Sequence, residues 1–149
     1  MIQRIQTVYL LLVTILVGIT LFAPLAWFDI GGVLYSLKAF GVEATSGESI
    51  QTPVYWAGIL LALSSLLPLV TIFLFKHRLL QIRLCVVEGV LLLGCIVMLA
   101  VAYFGHGEVM AQGLKPAIAL PLVSILFVWL AGRAIFKDEL LVKSLDRVR

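Results

Sequence analysis

Groups that carry chemistry are scarce in this sequence. It holds two cysteines, two histidines and 13% charged residues in 149 positions. A metal centre needs several convergent Cys, His or carboxylate ligands. Cys85 and Glu88 stand one helical turn apart, but His77 and His106 fall outside the apolar runs, and no second Cys/His cluster completes a tetrahedral set. Cys85 and Cys95 are too far apart along one helix to be bridged, so both read as small apolar packing residues. No glycine-rich loop carries the lysine pattern that cradles phosphate, since Gly31-Gly32 lacks it. Ser/His/Asp sets can be drawn only by joining residues from opposite membrane faces. An enzyme is therefore not expected, and neither is a metal or a cofactor. Internal repeats, low-complexity tracts and long linkers are missing as well.

What the chain has in excess is apolar length. The hydrophobic fraction is 62% and the mean hydropathy +1.15, well above the roughly 45–50% apolar share of a soluble domain. Four runs stand out, Ile5–Trp27, Val54–Phe75, Leu84–Phe104 and Ala117–Phe136. A hydrocarbon core about 30 Å thick needs roughly 20 helical residues at about 1.5 Å each, and each run meets that. Backbone groups inside lipid must be bonded within their own segment, so helices are expected. The fold class predicted is an all-α membrane protein, one domain over residues 1–149, built as a four-transmembrane-helix bundle. The first run is too long for a signal-peptide core, and Ala23-Pro24-Leu25-Ala26 is a poor cleavage site, so it reads as a retained span. Lys137-Asp138-Glu139-Leu140 spells a retention signal away from the C-terminal position at which such signals are read.

The net charge of +3 does not point to nucleic acid, because of where the charges sit. Arg4, Lys76, Arg78, Arg83, Arg133, Lys137, Lys143, Arg147 and Arg149 occupy the N-terminus, the second connection and the tail. Lys38 and Lys115 occupy the other two connections, beside Asp29, Glu43, Glu48 and Glu108. The positive-inside rule makes the first side cytoplasmic, with both termini inside and anionic lipid headgroups as the counter-charge. Tyr9 on one side, and Trp27, Phe28, Tyr55, Trp56, Tyr103 and Phe104 on the other, suit the two interfaces. Thr52-Pro53 suits the start of the second helix, and Pro68 inside it removes one backbone bond and should kink it.

The connection 28–52 is the largest part outside the spans. Gly31-Gly32 between Ile30 and Val33 reads as a tight turn, and Val33, Tyr35, Leu37 and Ala39 alternate with Leu34, Ser36, Lys38 and Phe40. That period of two predicts a small extracytoplasmic β-hairpin between helices 1 and 2, followed by a loop at Thr45-Ser46-Gly47-Glu48. The competing reading is an irregular loop resting at the headgroups. The tail 137–149 keeps a helical rhythm through Leu141, Leu145 and Val148. It either continues the fourth helix or lies along the membrane surface.

The opening Met1-Ile2-Gln3-Arg4-Ile5-Gln6-Thr7-Val8-Tyr9-Leu10-Leu11-Leu12 resembles the start of an uncharacterised four-span membrane family common in Bacteroidota, which carries a domain-of-unknown-function label. The closing stretch from Arg133-Ala134-Ile135-Phe136 to Asp146-Arg147-Val148-Arg149 resembles its ending. The resemblance implies four spans in a bacterial inner membrane, and it implies no activity.

Polar residues within the runs supply the site candidates. Glu88 is the sharpest, about one turn or 6 Å of rise inside Leu84. A buried charge of that kind serves a proton or cation path, or forms a structural pair. Arg133 at a similar depth on the fourth run is the favoured partner, with Arg83 also in reach. Gly58 and Ala62, followed by Ser65, form a small-residue stripe that suits close helix packing. Ser64, Ser65, Thr71 and Ser124 read either as pore-lining hydroxyls or as groups bonded to their own helices. His106 reads as a solvated loop residue rather than a pH sensor.

Two functions follow. The first is a noncatalytic subunit or assembly factor of a larger membrane complex, contacting a protein partner. The alternative is a small transporter or channel, working as a homo-oligomer and using Glu88. Lipid binding between the helices has no residue signature at this level.

Overall fold

The computed structural model describes residues 2–44, 49–50, 55–74, 77–105 and 111–146. Four helices dominate it: α1 (Ile2–Phe22), α2 (Tyr55–Phe73), α3 (Arg78–Phe104) and α4 (Ala119–Asp146), the last entered through a 3₁₀ turn at Pro116–Ile118. Each is long and apolar enough to cross a membrane. The helix ends differ most from the run ends in three places. α1 ends at Phe22, short of Trp27, because the chain passes Pro24 and turns extended at Ala26. α3 starts at Arg78, six residues before Leu84, since Arg78 to Arg83 continue its helix. α4 runs as one helix beyond Phe136 to Asp146, which answers the open question about the tail up to that residue.

The helices pack mainly as neighbours, α1 on α2 and α4, and α3 on α2 and α4. Their buried residues recur at steps of three and four: Gln6, Leu10, Val13, Val17 and Thr20 on α1, and Gln81, Cys85, Glu88, Leu92, Cys95 and Leu99 on α3. That spacing gives each helix one narrow seam, as expected for long helices packed at a shallow angle. No more than 33% of any apolar window is buried inside the protein. Ile15, Ile59, Val90, Val97 and Leu126 are among those left outside. So much exposed hydrocarbon suits a bilayer and not water.

The expected hairpin is there, but it is part of something larger. β1 (Ala26–Ile30) and β2 (Val33–Lys38) pair antiparallel around Gly31-Gly32, whose φ values of 62° and 83° are the left-handed conformation glycine adopts freely. Asp29 accepts a hydrogen bond from the Gly32 N–H at 3.0 Å. β3 (Gly41–Ala44) and β4 (Ser49–Ile50) extend the sheet on one side. β5 (Ala111–Leu114), from the connection before α4, adds to the other side, giving the order β4-β3-β2-β1-β5. A two-stranded hairpin is marginal alone, and a wider sheet with one apolar face is not. Here Leu25, Ala26, Phe28, Leu37, Ala39 and Val42 are buried and join one core with Leu61, Leu92 and Leu99 of the helices. The ring of Phe28 lies 5.7 Å from that of Tyr103 at the end of α3. Thr45–Glu48, Thr52, Pro53 and His106 lie outside the described residues.

Candidate functional site

Glu88 is the buried carboxyl of the helical region, with 1% of its surface exposed. Because α3 begins at Arg78, ten residues separate Glu88 from the helix start, about 15 Å of rise and close to mid-helix. It is therefore deeper than a boundary at Leu84 implies. The α3 seam turns it inward, between Cys85 and Leu92. Neither carboxylate oxygen has a hydrogen-bond partner among the described residues.

The expected ion pair with Arg133 is not formed. Arg133 follows Ala131 by two residues, and two helical steps of about 100° each carry it to the opposite side of α4 from the buried seam of Val128, Ala131 and Ile135. Its guanidinium lies over the Trp129 ring, 5.4 Å from the centroid. Arg83 is exposed on the outside of α3. Similar depth brought these residues to attention, but rotation about the helix axis separates them.

What faces Glu88 is Ser64 of α2, whose hydroxyl interacts with the carboxyl without reaching the geometry of a full hydrogen bond. Ser65, Thr71 and Ser124 donate to carbonyls three or four residues back on their own helices, at 2.8 Å each. Ser64 does not, although it is fully buried. Four residues later stands Pro68, inside an uninterrupted α2. Proline has no N–H, so the Ser64 carbonyl loses its helical donor. The Ser64 hydroxyl and the Glu88 carboxyl thus meet in the middle of the protein, on the turn of α2 that Pro68 leaves one hydrogen bond short.

Toward the charged end the same interior stays polar. Gln81, two turns before Glu88 on the α3 seam, donates its amide to the Thr71 carbonyl at 2.9 Å. Gln6 of α1 is buried with its amide nitrogen unpartnered among the described residues. A small space of about 30 Å³ lies among Gln6, Leu10, Ile72, Gln81, Arg78 and Asp138, enough for about one water. Arg78 and Asp138 close it with an ion pair of 3.2 Å. Toward the sheet the seam becomes Leu92, Cys95 and Leu99, apolar up to the buried face of β1 and β2. Gln6, Gln81, Ser64 and Glu88 therefore lie at the level of Glu88 or toward the charged end, whereas the buried hydroxyls nearer the sheet, Thr20 and Ser124, bond to their own helices.

Of the small-residue pair Gly58 and Ala62, Gly58 meets the sheet. Gly58 is buried against the turn between β2 and β3, where an added Cβ would lie 2.9 Å from the Ala39 carbonyl oxygen and overlap the Phe40 ring. Ala62 is half-buried. The small residue seats the sheet on α2. Gly113 plays a similar part on β5, where the Trp27 ring covers it from the paired position on β1. Cys85 and Cys95 are buried free thiols, and Cys95 Sγ lies 3.8 Å from the Ala57 carbonyl. Sequence reasoning missed Gln81, Gln6 and the Arg78–Asp138 pair. Gln81 carries the signal that could have found it, since it extends the Cys85, Glu88, Leu92 and Cys95 face by one more step of four.

A family model described as a domain of unknown function (DUF4293) matches residues 2–148, and the chain belongs to that family. No curated protein matches the sequence.

Proposed function

We propose that this DUF4293 chain is a noncatalytic four-span protein that serves as a subunit or assembly factor of a larger membrane complex. Its setting is a bacterial inner membrane, with both termini cytoplasmic, the sheet outside, and anionic headgroups against the basic end. The observation that carries this reading is the apolar plug formed by Leu92, Leu99, Phe28 and Leu37, where the sheet seals one end of the four-helix bundle. A continuous path for a solute needs polar or water-filled lining throughout, and a packed apolar end favours an architectural role. The parts offered to a protein partner are the sheet and the overhang of α4 beyond Asp138.

The test is gentle crosslinking and purification from native membranes, with mass spectrometry of what accompanies the chain. A stoichiometric partner, lost when the chain is truncated after Glu139 while membrane insertion persists, supports the reading. A clean homo-oligomer without a partner overturns it. Truncation at that point keeps the Arg78–Asp138 pair, so the helices are not undermined.

Glu88 favours a second reading, a small oligomeric transporter or channel. A buried carboxyl with oxygens unpartnered among the described residues, beside Ser64 and two turns from Gln81, suits a proton-binding group. Glu88→Gln separates the two. Altered proton-coupled flux in proteoliposomes at unchanged folded yield favours transport, and unaltered flux with changed stability favours architecture.

A further inference from the structure

A groove of about 750 Å³ runs between α1 and α4 at the charged end of the protein, with Ile5 and Tyr9 on one wall and Leu130 and Ala134 on the other. Arg133 and Lys137, one turn apart on α4, stand along it. Among the described residues neither cation is in an ion pair, whereas Arg78, Lys38 and Lys143 are paired with Asp138, Glu43 and Glu139. On its far side Arg133 borders a second apolar groove of about 400 Å³ between α3 and α4, opened by Gly132 and Gly89 and walled by Trp129 and Ile82. Arg133 is thus an unpaired guanidinium on a crest between two hydrocarbon-lined furrows. α4 continues eight residues past Asp138, about 12 Å, so Leu140 and Leu141 extend the first furrow beyond the level of the Arg78–Asp138 pair.

We propose that this crest and its α1–α4 furrow are a binding site for one anionic phospholipid. Arg133 and Lys137 take the phosphate, and an acyl chain lies along Ile5, Tyr9, Leu130 and Ala134. The choice of occupant rests on charge and place. Two unpaired cations on an otherwise apolar, outward-facing surface call for an anion that brings its own hydrocarbon. The guanidinium fork matches phosphate oxygens bidentately, and basic pockets between spans recognise anionic headgroups. The proposal rests on the membrane placement above but not on either function.

The full-length protein, purified in mild detergent, is offered phosphatidylglycerol or phosphatidylcholine of the same chains, and bound lipid is counted by native mass spectrometry. Retention of one phosphatidylglycerol, and about tenfold weaker retention of phosphatidylcholine, is expected. R133Q/K137Q should lose that preference, while R83Q/K143Q, matched in charge and outside the furrow, should keep it. Ala134→Trp leaves both cations and fills the furrow, and it should also release the lipid. All four substituted cations are exposed, and the melting temperature without added lipid checks that each variant is folded. Equal retention of the two lipids, equal loss in the two double variants, or full binding by Ala134→Trp overturns the proposal. Inorganic phosphate serves as the chain-free probe, and protection by it at equal concentration would also overturn the lipid site. Alkaline carbonate extraction tests membrane placement separately, so its failure is distinguishable from failure of the site.

Discussion

Replacing Glu88 with leucine should stabilise the protein. The structure buries both carboxylate oxygens, 1% exposed and without hydrogen-bond partners among the described residues, between Cys85 and Leu92 in the α3 seam. A buried polar group with no hydrogen bond costs about 1–3 kcal/mol. Leucine has a similar volume and suits Cys85 and Leu92, so Glu88→Leu should recover about 1–3 kcal/mol, partly offset by imperfect fit and by the Ser64 hydroxyl it would face. Ser64→Ala alone removes a second unsatisfied group, the Ser64 hydroxyl. Because Ser64 and Glu88 interact, the double variant should depart from the sum of the singles by about 0.5 kcal/mol or more. The assay is reversible unfolding in mixed micelles with increasing SDS, followed by circular dichroism. A loss of stability above about 1 kcal/mol in Glu88→Leu would refute the reasoning. It would mean the carboxyl is bonded in the folded protein, to water or to an ion, and that its oxygens are not orphaned.

Gly58→Val should destabilise by about 1–3 kcal/mol through overpacking, because the Ala39 carbonyl oxygen lies 2.9 Å from the added Cβ and cannot swing aside as the Phe40 ring can; unchanged unfolding would deny the seat between α2 and the sheet. Valine at both Gly31 and Gly32 should cost about 1–2 kcal/mol per position from their left-handed φ values, while Gly31→Asn should be tolerated, as thermal unfolding will report. Gln81→Leu should cost about 1 kcal/mol by removing the amide hydrogen bond to the Thr71 carbonyl, which keeps its bond from the Leu74 N–H, seen as a lowered unfolding midpoint. Asp138→Asn should cost about 1.5 kcal/mol, since Arg78 is only 24% exposed, and the deficit should not vanish at high salt.

Much of the fold was legible because its causes are local. A helix in hydrocarbon needs only length and apolar content, and Gly31-Gly32 needs only its own backbone to turn. The ends of elements were harder to read. Arg78 to Arg83 look polar enough to end a span, yet helical hydrogen bonding continues through them, and that shifts Glu88 from near a boundary to mid-helix. Trp27 looks like the close of an apolar helix but belongs to a strand, because Phe28 and Ala26 are buried against helix ends that the first run alone does not reveal. The candidate site was legible in composition only. Glu88 stood out as the acid inside a span, but its surroundings did not.

Hydropathy and charge placement in the sequence alone determined four bilayer-length helices, a turn at Gly31-Gly32, and two ends of opposite character. Tertiary structure decided which residues meet. β5 pairs with β1, Leu114 opposite Ala26, only because both strands emerge at the same end of the packed helices. Gly58 meets Phe40 and the Ala39 carbonyl of the sheet, and Arg133 points away from Glu88. The physical reason is that apolar content fixes how far a helix runs along its axis. Its rotation about that axis, and the partner of an edge strand, are set by side-chain packing between segments distant in the chain.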